Sequence, residues 1–137
     1  MKKIIACMIV LSVLMSNVAF ANTVDFEFSL RPTDMENDFV IDEKSTGYKN
    51  DNEARFYVTQ ESTTYPMSSS NPIYYRAAKD KIYIEYVSNY IPMTSNSRKY
   101  ASYKMDVEAY ETFKLACRVK YNPFDFGTYT AEGRWTP

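Results

Sequence analysis

The stretch from Phe113 to Tyr121 alternates without interruption. Phe113, Leu115, Cys117, Val119 and Tyr121 fall in one phase, and Lys114, Ala116, Arg118 and Lys120 in the other. Successive side chains of a strand point to opposite faces, so this stretch predicts a strand with one buried apolar face and one wet, basic face. A chain built on such stretches must bury several of them against one another.

Other runs repeat the design. Val24, Phe26, Phe28 and Leu30 alternate with polar residues until Pro32 ends the run, and Phe39-Val40-Ile41 is a short second strand after the acidic turn Asp34 to Asp38. Ala54 to Thr59 is expected as a strand with Ala54, Phe56 and Val58 inward. Ile73 to Ala78 and Ile82 to Val87 are expected as a hairpin turning at Lys79-Asp80-Lys81. Lys99 to Met105 and Gly127 to Trp135 complete the set. Asp106 to Glu111 is expected as one helical turn, and Phe124 and Phe126 are expected to tuck back after Asn122-Pro123. Polar loops, Asp42 to Asn52, Gln60 to Pro72 and Ser88 to Ser97, separate the runs. No helical pattern is long enough to cover a parallel sheet. The expected fold is therefore all-β: an antiparallel β-sandwich, or partly open barrel, of about seven to eight short strands.

The N-terminus differs in kind. Met1-Lys2-Lys3, an apolar run from Ile4 to Met15, and Ala19-Phe20-Ala21 make the three-part pattern of a secretory signal peptide, a signal helix too short to span a membrane comfortably. Cleavage is expected after Ala21, giving residues 1–21 as signal peptide and 22–137 as a single secreted, extracellular domain of 116 residues with no stable membrane span. The exported chain holds 14 basic and 17 acidic residues, unevenly spread: ten acids and four bases from Asn22 to Glu61, seven acids and ten bases from Ser62 onward. An overall acidic domain is a poor nucleic-acid partner. Cys117 is the one cysteine left, in the apolar phase, and is expected as a buried, inert thiol.

The residue inventory excludes most chemistry. The chain has no histidine, which removes Ser-His and Cys-His nucleophile systems and most zinc, copper and haem sites. Its three glycines are scattered, so no phosphate-cradling loop exists. The chain reads as non-enzymatic, with no cofactor and no metal. The acidic loops Asp34 to Asp38 and Asn50 to Glu53 carry hard oxygen ligands but lack the spacing of a calcium loop.

What remains is recognition. Tyr57, Tyr74, Tyr83 and Tyr103 are placed in the phase opposite the apolar residues of their strands, where a flat ring with a polar tip suits stacking on a ligand. Lys114, Arg118 and Lys120 form a basic stripe. Pro66-Met67-Ser68-Ser69 and Pro92-Met93-Thr94-Ser95 are two matching loops that could share one end of a sandwich. These features point to a binding or interaction protein at the cell surface, whose partner is a protein or a cell-wall polymer. A secreted effector or antagonist, or a self-associating surface component, are the alternatives.

Phe26-Glu27-Phe28 and the terminal Gly133-Arg134-Trp135-Thr136-Pro137, behind a Lys-Lys signal peptide, resemble small secreted proteins of Gram-positive bacteria without an assigned function. That resemblance implies an exported β protein with a role near peptide export or bacterial competition, and it implies no site residues.

Overall fold

The computed structural model describes residues 22–35, 39–80 and 84–137. The expected signal peptide and its cleavage site, residues 36–38 of the expected acidic turn, and residues 81–83 with Tyr83 among them lie outside the described residues.

Two antiparallel sheets make a sandwich. The first has the order β1-β10-β4-β8, from β1 (Val24–Leu30), β10 (Tyr129–Thr136), β4 (Arg55–Thr63) and β8 (Arg98–Ser102). The second has the order β2-β9-β5-β6, from β2 (Val40–Ile41), β9 (Thr112–Arg118), β5 (Ile73–Asp80) and β6 (Ile84–Tyr86). Two short strands join it: β3 (Gly47–Tyr48) beside β9 and β7 (Ile91–Met93) beside β5. These two fall in stretches expected to be loops. Each is only two or three residues long, too short for alternation to register.

The apolar phases of both sheets meet between them. Phe26, Phe28, Leu30, Phe56, Val58, Ala131 and Trp135 from the first sheet face Ile73, Tyr75, Ala77, Phe113, Leu115 and Cys117 from the second. The rings of Phe26 and Tyr75 lie 5.4 Å apart across that core. Cys117 is fully buried, opposite Tyr75 in the β5–β9 ladder.

The opening alternation is only half right about exposure. Phe113, Leu115, Cys117 and Val119 of its apolar face are buried while Tyr121 is exposed, and on the other face Ala116 is also buried and Lys114 is just 8 % exposed. β9 is an interior strand flanked by β2, β3 and β5. A 3-10 turn, Glu43–Ser45, closes over it: Glu43 pairs with Lys114 at 2.6 Å, and the Leu115 N–H donates to Ser45 Oγ at 3.2 Å. The same turn reaches the first sheet, where Trp135 Nε1 donates to the Ser45 carbonyl at 2.8 Å.

Other expectations change locally. Ala54 is exposed and precedes β4, which runs on to Thr63. Asp80 pairs with Ile84, so β5 continues two residues past its expected end. Asp106 to Glu111 forms no helical turn; it is an irregular loop in which Tyr110 takes a left-handed backbone (φ 71°). β9 stops at Arg118 instead of running to Tyr121.

β10 carries a register shift at Glu132/Gly133, where Gly133 lies opposite Gln60 of β4. A Cβ on Gly133 would stand 2.1 Å from the Thr59 carbonyl oxygen, a backbone atom. Bulges place glycine where another backbone comes close. The Gly133→Ala substitution is therefore expected to cost about 2 kcal/mol or more, read as a lower urea midpoint, while Ser29→Ala on the exposed face of β1 leaves it within about 0.5 kcal/mol.

Candidate binding face

β5 and β9 direct Tyr74, Arg76 and Arg118 to the outer face of the second sheet, with Tyr74 directly opposite Arg118. Three more rings gather there from outside the strand centres. Phe39 enters from the segment before β2, Tyr86 from β6 and Tyr90 from just before β7. The Arg76 guanidinium carbon lies 4.1 Å from the Tyr86 ring centre, 4.7 Å from Tyr90 and 5.4 Å from Phe39. Arg118 lies 5.2 Å from Phe39 and 5.8 Å from Tyr74. Phe39 stacks on Tyr90 at 5.7 Å with planes 8° apart, and Tyr74 meets Tyr90 edge-on at 6.2 Å. Two cations thus share one aromatic bed, an arrangement stabilised by the ring quadrupoles.

These guanidiniums are poorly used by the protein itself. Arg76 donates only long bonds, Nη1 to the Tyr90 hydroxyl and Nη2 to the Ser88 carbonyl, both 3.4 Å. The Nε atoms of Arg76 and Arg118 are buried without a hydrogen-bond partner. Among the described residues no carboxylate forms a salt bridge with either. Burial pushes the Arg76 pKa below its ordinary value and the nearby Arg118 charge pushes the same way, opposed by the Tyr90 and Tyr86 phenols. A guanidinium keeps its charge regardless, and its planar fork fits a phosphate or carboxylate with two parallel bonds. The face can therefore hold an anion, with rings beside it for stacking.

The sequence candidates scatter. Tyr74 and Arg118 belong to this face. Tyr57 stands on the outer face of the first sheet, the other side of the sandwich, 5.8 Å from Tyr100 and under Arg98. There its hydroxyl is already committed to Glu53 at 2.7 Å. Tyr103 turns inward: it is 7 % exposed and packs 4.9 Å from Phe113 and 5.5 Å from Phe56. It shares its phase with Ala101, which alternation this weak in apolar character conceals. Lys114 is bound to Glu43, and Lys120 is exposed beyond the end of β9, so the basic stripe reduces to Arg118 and Lys120.

The matching loops do share an end. Gln60 Nε2 donates to Met67 Sδ and to Asn96 Oδ1, each at 3.1 Å, joining them inside the fold, while Met93 itself is buried in β7. The Asn50 to Glu53 loop spends its oxygens internally: Asp51 on Lys49, Asn52 on the Ala109 N–H and Glu53 on Tyr57. No group of three acidic or cysteine side chains among the described residues is placed to hold a metal.

Sequence reasoning passed over Arg76, Phe39, Tyr86 and Tyr90. Arg76 shares the outward phase of Tyr74 two residues away and was within reach of the pattern; Phe39 and Tyr90 sit at strand ends, where period carries no information. It also misplaced Phe124 and Phe126, which do not tuck back but stand 86 % and 75 % exposed.

The fold and this face define an antiparallel β-sandwich with an arginine–aromatic surface. No family model matches the chain, and comparisons with curated proteins and with solved structures give no significant match.

Three buried acids on the inner side fix a pH response. Burial pushes the Cys117 thiol and the Tyr75 and Tyr103 phenols well above their ordinary ranges. The folded protein then holds these protons longer than the unfolded chain, so stability is full below an ordinary thiol pKa of about 8.5 and falls as pH climbs through that range and the tyrosine range near 10. Denaturation midpoints are expected to decline from about pH 9 upward, approaching 1.4 kcal/mol per pH unit for each group that ionises only when unfolded. A thiol-specific disulfide reagent is expected to leave native Cys117 unmodified at pH 8 and to react stoichiometrically in urea.

Proposed function

We propose that this is an exported, non-enzymatic binding protein that captures an anionic polymer of a bacterial cell surface through Arg76 and Arg118. The observation that carries the reading is a pair of part-buried guanidiniums on a bed of four rings, with Nε atoms unpartnered and no carboxylate in salt-bridge reach among the described residues. Among the described residues the two like charges have no carboxylate in salt-bridge reach, an arrangement that costs folding stability and that an anionic ligand relieves. Export rests on the signal pattern of residues 1–21, and the non-enzymatic assignment on a chain without histidine. Phosphodiester or carboxylate groups spaced along a wall polymer would meet the two forks in succession, while Tyr74 and Tyr90 stack on the intervening polyol or sugar units.

A second reading has its own support. The first sheet bears, on the opposite side of the sandwich, a mainly acidic trough of about 560 Å³ lined by Asp25, Glu27, Asp42, Glu61 and Glu132 together with Lys44. Opposite charges on opposite faces suit head-to-tail self-association. Solution mass at micromolar concentration decides it: a strict monomer ends that reading.

Retention of the exported chain on isolated Gram-positive cell walls tests the first. Wild type is expected to bind in low salt and to be released in high salt. The double variant R76A/R118A is expected to bind at least tenfold more weakly at every salt concentration, and Y74A several-fold more weakly. Y57A, on the far sheet, is expected to bind like wild type. Equal retention of R76A/R118A and wild type would sink the proposal.

A further inference from the structure

The segment Tyr121 to Gly127 has its polarity reversed. Asp125 turns into the protein, where Oδ1 accepts the Gly127 N–H at 3.0 Å and the Tyr129 hydroxyl donates to Oδ1 and Oδ2 at 3.0 and 3.2 Å. Phe124 and Phe126, on either side of it, project into solvent. The turn is built to hold that display. Asn122 Oδ1 accepts the Phe124 N–H, the Asp125 N–H donates to the Asn122 carbonyl, and the Asn122 N–H is anchored to the Pro32 carbonyl. Gly127 leaves room for the Tyr129 ring, whose hydroxyl would stand 2.6 Å from any Cβ there. A single exposed apolar residue is ordinary; two exposed rings two residues apart on a hydrogen-bonded turn, with half-exposed Tyr121 before them, are not.

We propose that Phe124 and Phe126 insert into the interfacial layer of an anionic lipid bilayer, anchoring the exported protein peripherally to a membrane surface. Three features favour a bilayer. The rings protrude as a prong, a shape that enters a fluid interface without needing a matching socket. The chain that leads from β9 into the loop carries exposed Lys120, which lines the hollow beside the loop with Tyr121, Asn122 and Asp125, so a cationic side chain stands next to the prong where anionic headgroups would lie. Of the described acids near the loop, Asp125 is taken by Tyr129 and Asp34 lies 3.8 Å from Arg31. Among the described residues, neither the hollow beside the loop nor the trough on the first sheet offers a second copy an apolar socket. The hollow beside the loop is lined by Tyr65, Asn71, Lys120, Tyr121, Asn122 and Asp125, and the trough on the first sheet is acidic. The prong is independent of Arg76, and no helix among the described residues is long and apolar enough to cross a membrane, so the attachment is interfacial.

Co-sedimentation with vesicles tests this. The exported chain is expected to bind vesicles containing about 30 % phosphatidylglycerol in phosphatidylcholine, and pure phosphatidylcholine vesicles markedly less. F124S/F126S is expected to lose binding by roughly tenfold per ring removed while keeping the wild-type urea midpoint and wild-type retention on cell walls. R76A/R118A is expected to keep most vesicle binding, which separates this inference from the wall-binding one. In an F124W variant, quenching by brominated acyl chains reports insertion directly, because the native Trp135 is buried. Equal sedimentation of F124S/F126S and wild type overturns the proposal, as does an unquenched F124W variant. So does a wild-type oligomer that F124S/F126S reduces to monomer, which would assign the prong to self-association.

Discussion

Gln60 is the residue on which both halves of this sandwich converge. It is fully buried, faces Gly133 at the register shift of β10, and donates its backbone N–H to the Ser97 carbonyl. Its side-chain oxygen accepts the Tyr75 hydroxyl from the opposite sheet at 2.8 Å, and its amide nitrogen reaches both serine-rich loops. A buried amide is costly unless its hydrogen bonds are made. Here they can be made only when the two sheets, the bulge and the two loops are all in place. With Cys117 a free, buried thiol, the described fold gains specificity of assembly from one satisfied polar group in an aromatic core.

The binding face follows from that assembly. β5 supplies Tyr75 inward to Gln60 and, from the next positions on each side, Tyr74 and Arg76 outward. The core and the arginine pair are two sides of the paired strands β5 and β9, which carry Arg76 and Arg118 respectively. The first sheet makes a superficially similar surface, with Arg98 over Tyr57 and Arg55 over Tyr100. It differs where function is concerned, because Glu53 takes the Tyr57 hydroxyl and Glu61 pairs with Arg134 at 2.7 Å. Rings and cations alone do not distinguish the two faces; among the described residues, carboxylates paired with those groups do.

The sandwich itself was legible in the alternation, because burial of one face imposes period two over long strands such as Val24–Leu30 and Ile73–Asp80. Where a strand is covered on both sides, that rule loses force: Lys114 and Ala116 keep the polar phase of β9 and are buried all the same, under a 3-10 turn distant in sequence. Half of the site could be read from phase, as Tyr74 and Arg118 were. The other half could not, because Phe39, Tyr86 and Tyr90 reach it from strand ends and connections, and no local pattern says which side of a sheet a connection crosses. Phe124 and Phe126 failed for a related reason. Hydrophobicity predicts burial only on average, and in this loop the hydrogen-bonding demand of Asp125 decided which side chain turned in.

The edge of the first sheet shows a further economy. β1 ends that sheet, and its Glu27 N–H donates outward to Asp42 Oδ2 at 3.3 Å, while the other oxygen of the same carboxylate accepts the Lys44 N–H at 2.9 Å. One side chain thereby occupies a main-chain group that would otherwise be free to template a foreign strand. A protein concentrated on a surface meets its own copies far more often than one diluted in medium, and cross-β growth begins from such an unguarded rim. By taking the Glu27 N–H, Asp42 shortens the run of main-chain donors that the rim of β1 would present to a second copy.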